Sequence, residues 1–176
     1  MSLRSRGTHR VLAIDPASRG FGFAVMEGQK TLVDWGVKRT RSDKKAETLL
    51  KVWKLIRHYR PRMLILENGN AKGSRRCKRV RKLLTDIRAM AENKRVKTRS
   101  VSLLLVKKVF LAFRATTKHQ IAQVIATQLP ELAPRLPRQR KLWMPEDYRM
   151  SIFDATALAL TYFYTHPARQ GSVHNR

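Results

Sequence analysis

Three carboxylates occupy sheltered places in a chain that has few of them. Asp15 closes a short apolar run with branched residues, Val-Leu-Ala-Ile at 11–14. Glu67 closes a second run, Met-Leu-Ile-Leu at 63–66. Asp154 lies inside a late stretch, about 145–164, that is apolar on nearly every side of a helix. A buried carboxylate is costly unless it is paired or bound to a cation, and acids gathered together raise each other's pKa. Two kinds of chemistry answer that cost. The plain one is an Asx turn at Asp15 and an ion pair with an arginine for Asp154. The other is a cradle of hard oxygen donors for Mg²⁺ or Mn²⁺. Two such ions, about 4 Å apart, activate a water and stabilise the leaving oxygen in phosphodiester cleavage.

The charge balance supports the second. Lys and Arg number 38 against 12 Asp and Glu, a net charge of +26. Such a surplus repels itself in a compact state and points to a polyanionic partner. The basic residues concentrate at 72–99, where twelve stand against Asp86 and Glu92. A solvated face usually mixes both signs, so this one-sided run reads as a phosphate-contacting face, with Lys72, Arg75, Arg76, Lys78, Arg79 and Lys82 at its head. No run approaches the length of a membrane span, and no basic amphipathic helix marks either end. Residues 1–10 are basic and polar and do not read as a secretory signal. The single cysteine, Cys77, excludes a disulfide framework and a cysteine-based zinc site, and reads as structural. The expected compartment is intracellular: cytoplasm and nucleoid, or an organelle or viral factory.

With 176 residues the chain suits one domain, its ordered core about 10–166. Pro16 cannot continue a ladder, so the first strand is expected to turn there, with Gly20 and Gly22 easing the return. Phe21, Phe23 and Val25 then alternate as a second strand, and 31–37 makes a third. Ser42 caps a helix over 43–59 that Pro61 ends. A helix leading into the wholly apolar run at 63–66 marks a crossover onto a buried parallel position, which brings Asp15 and Glu67 together. Val80, Leu83, Leu84, Ile87, Met90 and Ala91 give the basic run a helical apolar stripe. A short strand at 97–102 and helices at 103–112 and 120–129 follow. The segment 130–145, with four prolines, reads as an irregular loop near nucleic acid. Its Trp143 either stacks on a base or, the favoured reading, packs on the core. Pro145, Glu146 and Asp147 are expected to open the last helix.

In their order and spacing these motifs resemble the RuvC family of Holliday-junction resolvases, within the ribonuclease H-like nuclease fold. The first is Leu12-Ala13-Ile14-Asp15-Pro16 with Gly20, Phe21 and Gly22. The second is Leu64-Ile65-Leu66-Glu67, and the last is Asp154-Ala155-Thr156-Ala157-Leu158-Ala159-Leu160-Thr161. The resemblance implies a mixed five-stranded α/β sheet with helices on both faces. It implies Asp15, Glu67 and Asp154 as metal ligands and catalytic residues, Mg²⁺ or Mn²⁺ as cofactor with two ions per site, and a homodimer making paired nicks across a four-way DNA junction. Lys107, Lys108 and Lys118 match its basic DNA-binding and catalytic region. The stripe Val80, Leu83, Leu84 and Ile87 is the candidate dimer contact, with Leu83 and Leu84 the residues that could serve the core instead. Two departures stand out. Where the family has an acid or histidine three residues before the final Asp, this chain has Ser151. Asp147 shares a helical face with Asp154, about 10 Å away along a regular helix, and is the substitute ligand to consider. Asn68, Gly69 and Asn70 replace the family's aromatic wedge. Alternatives are a ribonuclease H-like nuclease for RNA–DNA hybrids or other branched DNA, and a non-catalytic junction-binding protein.

Overall fold

The computed structural model describes residues 9–41 and 44–167. Ser42, the expected helix cap, lies outside the described residues, as do both termini. Five strands form one mixed sheet: β1 (Arg10–Ala17), β2 (Gly20–Glu27), β3 (Leu32–Arg39), β4 (Met63–Glu67) and β5 (Lys97–Val101), in the order β3-β2-β1-β4-β5. β1, β2 and β3 form an antiparallel meander, whereas β4 and β5 add parallel to β1. The helices are α1 (Lys44–Tyr59), α2 (Lys78–Asn93), α3 (Leu103–Leu111), α4 (Lys118–Gln128) and α5 (Met150–Thr165).

The two-residue period of the strands divides the core in two. Leu12, Ile14, Phe23, Val25, Leu64 and Leu66 face α1 and α2. Val11, Ala13, Ala24, Met26 and Ile65 face the other way, onto α3, α4 and α5. By the same alternation Asp15 and Glu67 fall on the α5 side. The parallel ladder ends at Ile14 opposite Leu66, so Asp15 and Glu67 are the next positions in register.

Several expectations shift. β1 does not turn at Pro16; its antiparallel ladder runs on to Ala17 opposite Gly20. Pro16 is tolerated because the parallel ladder on the other side has already stopped. Gly20 does serve the turn, with φ at +139°. Gly22 serves close packing instead: a Cβ there would stand 2.2 Å from the Ser151 carbonyl oxygen on α5. The stripe expected at a dimer interface is what fastens α2 to the sheet. Leu84 and Ile87 are buried, and Val80 and Leu83 pack half-buried against the same core. Part of the expected irregular loop is a 3₁₀ helix, Pro130–Arg135, anchored by buried Leu132. Cys77 is exposed ahead of α2, where backbone amides led by that of Val80 lower its thiol pKa. Trp143 does not pack on the core; it is 78 % exposed. No described helix is long and apolar enough to cross a membrane.

Candidate active site

Asp15, Glu67 and Asp154 converge on two side-chain cations. Asp15 and Glu67 are buried, 3 % and 8 % exposed, just past the end of the parallel ladder between adjacent strands. One guanidinium spans them. Arg76 Nε donates to Glu67 Oε2 at 2.6 Å, and Nη2 contacts that oxygen at 2.6 Å while pairing with Asp15 Oδ1. Its Nη1 donates to the Pro16 carbonyl oxygen at 3.0 Å. Ser74 Oγ donates to the other Glu67 oxygen at 3.3 Å. Asp154, from the middle of α5, pairs with Lys118 Nζ at 2.7 Å, and the same ammonium meets Glu146 Oε1 at 2.6 Å.

Lys118 is held there by local sequence. Thr117 caps α4 by accepting from the Gln120 amide, and the Gln120 side chain accepts from the Thr117 amide. This capping box fixes the first turn of the helix and so the origin of the Lys118 side chain.

The charges are under strain. Burial pushes the Asp15 carboxyl up from 3.8 to about 8; Asp154 adds to the push, while Arg76 and Lys118 pull it back. Burial raises Asp154 too, against the pull of Lys118, with Glu146 pushing further up. Burial works against the charge on Arg76 and Lys118, yet the surrounding carboxylates outweigh it and raise both. Excess negative charge in low dielectric is what a bound cation relieves, and all donors are carboxylate oxygens, the set suited to Mg²⁺ or Mn²⁺. As the side chains stand, no three acidic, His or Cys groups among the described residues are placed to grip an ion. Arg76 and Lys118 take the carboxylate oxygens instead.

The remaining candidates separate. Arg76, expected on a phosphate-contacting face, lies inside the acid cluster. Lys72, Arg75, Lys78, Arg79 and Lys82 are exposed around the start of α2. Lys107 and Lys108 are exposed on α3 and form no ion pair with the three acids. Asp147, the substitute ligand to consider, does not join the cluster as the side chains stand: Arg149 grips its carboxylate at 2.6 Å and lowers its pKa. It also precedes α5, which starts only at Met150. Ser151 is buried, and its hydroxyl donates to the Tyr148 carbonyl oxygen at 2.7 Å. The fourth carboxylate near the cluster is Glu146. Sequence reasoning missed it by placing 145–147 in the helix, where Glu146 would point elsewhere. The signal for Arg76 was present, since buried acids need counter-charges and an arginine pair follows Glu67 within ten residues.

No family model matches the sequence, and no curated protein does. Solved structures do. RuvC of Thermus thermophilus is similar at 17 % identity and a TM-score of 0.65, with 89 % of this chain and 95 % of that chain covered. The same organism's RuvC in complex with Holliday junction substrate is similar at 19 % identity and 0.63, covering 89 % and 94 %. The yeast mitochondrial Holliday junction resolvase Ydc2 is similar at 14 % identity and 0.59, covering 88 % and 78 %. At these identities the likeness establishes the fold, a ribonuclease H-like sheet.

Proposed function

We propose that this chain is a metal-dependent endonuclease that resolves four-way DNA junctions by paired nicks. The observation that carries the reading is the meeting of Asp15, Glu67 and Asp154 at the ends of β1 and β4 and on α5, in a chain of charge +26. A basic surface holds the phosphate backbone, and an acidic cradle inside it cuts. The structural neighbours act on Holliday junctions by their names, which selects branched DNA over a plain duplex as the first substrate to try.

In this reading Asp15, Glu67 and Asp154 would hold the metal, Mg²⁺ or Mn²⁺ and two ions by resemblance. A hard divalent cation there would supply an activated water and charge stabilisation at the scissile phosphate. The chain's own groups do the rest. Lys118, raised and held protonated between Asp154 and Glu146, offers its ammonium to the charge that develops on the phosphoryl oxygens. Lys72, Arg75, Lys78, Arg79, Lys82, Lys107 and Lys108 neutralise the incoming backbone. Paired nicks need two sites on one junction, hence a two-fold homodimer. The compartment is whichever one holds the DNA.

The test is nicking of a synthetic four-way junction, beside an RNA–DNA hybrid and a plain duplex, with Mg²⁺, Mn²⁺ or EDTA. Junction-selective, metal-dependent, symmetric nicks are expected. Preference for the hybrid moves the protein to another ribonuclease H-like activity. Tight junction binding with no cleavage under either metal makes it a binding protein.

A further inference from the structure

An apolar tip stands on the loop that leads into α5. Leu142, Trp143 and Met144 are consecutive and are 97 %, 78 % and 47 % exposed. The tip is an ordered turn. The Met144 amide donates to the Lys141 carbonyl oxygen at 3.0 Å, and Arg140 Nη1 donates to the Met144 carbonyl oxygen at 3.0 Å. The Lys141 ammonium lies over the Trp143 ring, 5.3 Å from its centroid.

Two further facts define what this tip meets. Glu146, two residues beyond Met144, is tied to Lys118, and Lys118 to Asp154. Three residues of extended chain span at most about 10 Å, so the Trp143 backbone is tethered within that reach of the Glu146 backbone, whose side chain holds the lysine that pairs with Asp154. The turn is also flanked by Arg138, Arg140 and Lys141, so whatever covers the apolar surface carries negative charge beside it. Unstacked nucleic-acid bases combine flat apolar faces with a phosphate chain in one ligand. Aromatic side chains within basic grooves bind them by stacking, and apolar wedges enter between base steps. The loop after β4 is not built for this. Asn68, Gly69 and Asn70 offer no aromatic ring, and a Cβ on buried Gly69 would come within 3.1 Å of the Arg81 and Leu84 side chains.

We propose that Leu142, Trp143 and Met144 form a stacking wedge that enters the branch point of the bound DNA, with Trp143 against an exposed base face. The inference rests on the junction reading above. It places the wedge on the segment before α5, three residues ahead of Glu146, and makes Trp143 a determinant of structure selectivity and not of backbone binding.

The experiment measures affinity for a four-way junction and for a plain duplex of equal length, in EDTA, with 2-aminopurine at the branch point. Trp143→Ala is expected to weaken junction binding about tenfold, within the range for one stacked base, and to leave duplex binding unchanged. Trp143→Phe retains most of the affinity. At saturating protein, 2-aminopurine emission changes with wild type and Trp143→Phe and stays flat with Trp143→Ala. The exposed side chain removes little packing, and an unchanged melting temperature checks that. Equal loss on duplex and junction overturns the proposal. So does unchanged DNA binding with a shift from dimer to monomer in sedimentation, which assigns the tip to a second copy. Loss of binding to anionic vesicles with unchanged DNA binding also overturns it, in favour of a membrane surface. If wild type shows no preference for junction over duplex, the junction reading itself fails. If wild type has that preference and Trp143→Ala keeps it, only the wedge fails.

Discussion

Asp15 and Glu67, on adjacent parallel strands, share one guanidinium: Arg76 pairs with Asp15 Oδ1 and bonds Glu67 Oε2 at 2.6 Å. In the proposed reading the oxygens that Arg76 holds are those a divalent cation would take, so Arg76 and a metal would compete for them in the free protein.

Arg76→Gln is expected to tighten Mn²⁺ binding by the DNA-free protein about tenfold, the worth of one charge-assisted hydrogen bond that no longer has to be broken. Calorimetric titration of Mn²⁺ reads this directly. Arg75→Gln removes the same charge from the neighbouring, exposed position without touching the acids. If both variants gain equally, the effect is general electrostatics and Arg76 is no competitor.

The Asp15 carboxyl, raised from 3.8 to about 8, sets a pH dependence in the metal-free protein. The folded state keeps a proton that the unfolded chain has released across that window. The unfolded state thus binds fewer protons, and folded stability falls as pH rises from the lower value to the upper one. Asp154, also raised by burial, acts in the same direction. Thermal unfolding in EDTA at stepped pH should show melting temperature falling toward pH 8. Asp15→Asn should flatten that slope. An equal slope in the variant would place the proton elsewhere.

Gly22→Ala tests how α5 is docked. The added methyl would meet the Ser151 carbonyl oxygen at 2.2 Å and the carbonyl carbon at 2.3 Å, both backbone atoms that cannot rotate away. α5 must slide off β2, which costs about 3 kcal/mol or more. A large drop in melting temperature is expected. A cleavage loss beyond the folded fraction would show that Asp154 has moved with the helix.

The sheet was readable because its signals are local and agree. Apolar runs ending in Asp15 and Glu67 are strands whose neighbour is set by the crossover through α1. Alternation along them then puts both acids on one face. The α2 stripe was readable as apolar but not as to its partner, since the same pattern serves a core or an interface, and tertiary packing decided for the core. The start of α5 was misplaced because Pro145, Glu146 and Asp147 suit a first turn, whereas Asp147 closes on Arg149 in a tighter turn before Met150. That error hid Glu146. Arg76 reads as a phosphate contact by its basic neighbours, although the need of two strand-borne acids for a counter-charge is the signal that pairs it with them. Trp143 reads as a core residue or a base-stacking one from its type alone, and the turn hydrogen bonds of its loop leave it outward.

The acid cluster itself is tested by charge-removing substitutions that conserve shape. Asp154→Asn keeps the side-chain volume and removes one negative charge, so affinity for a hard cation falls, since such ions prefer anionic oxygen. Cleavage is expected to vanish, while junction binding stays or tightens slightly, because the exposed basic residues are untouched and a charge that repels phosphate has gone. Asp15→Asn and Glu67→Gln should do the same, and combining them should add little, since groups that act as a unit are not additive. Asp147→Asn should be nearly silent, because its carboxylate is spent on Arg149. Glu146→Gln should fall between: one of the two anchors of Lys118, at 2.6 Å, keeps an acceptor oxygen but loses its charge, while Asp154 stays at 2.7 Å, so a loss in kcat on the order of tenfold is expected, with KM for junction little changed. Single-turnover nicking with binding measured in parallel separates these outcomes. Should Asp147→Asn prove as damaging as Asp154→Asn and Glu146→Gln silent, the loop before α5 turns the other acid inward when DNA is bound. Should Asp154→Asn unfold the protein with cleavage per folded molecule intact, the Lys118 pair is structural and the cradle is misassigned.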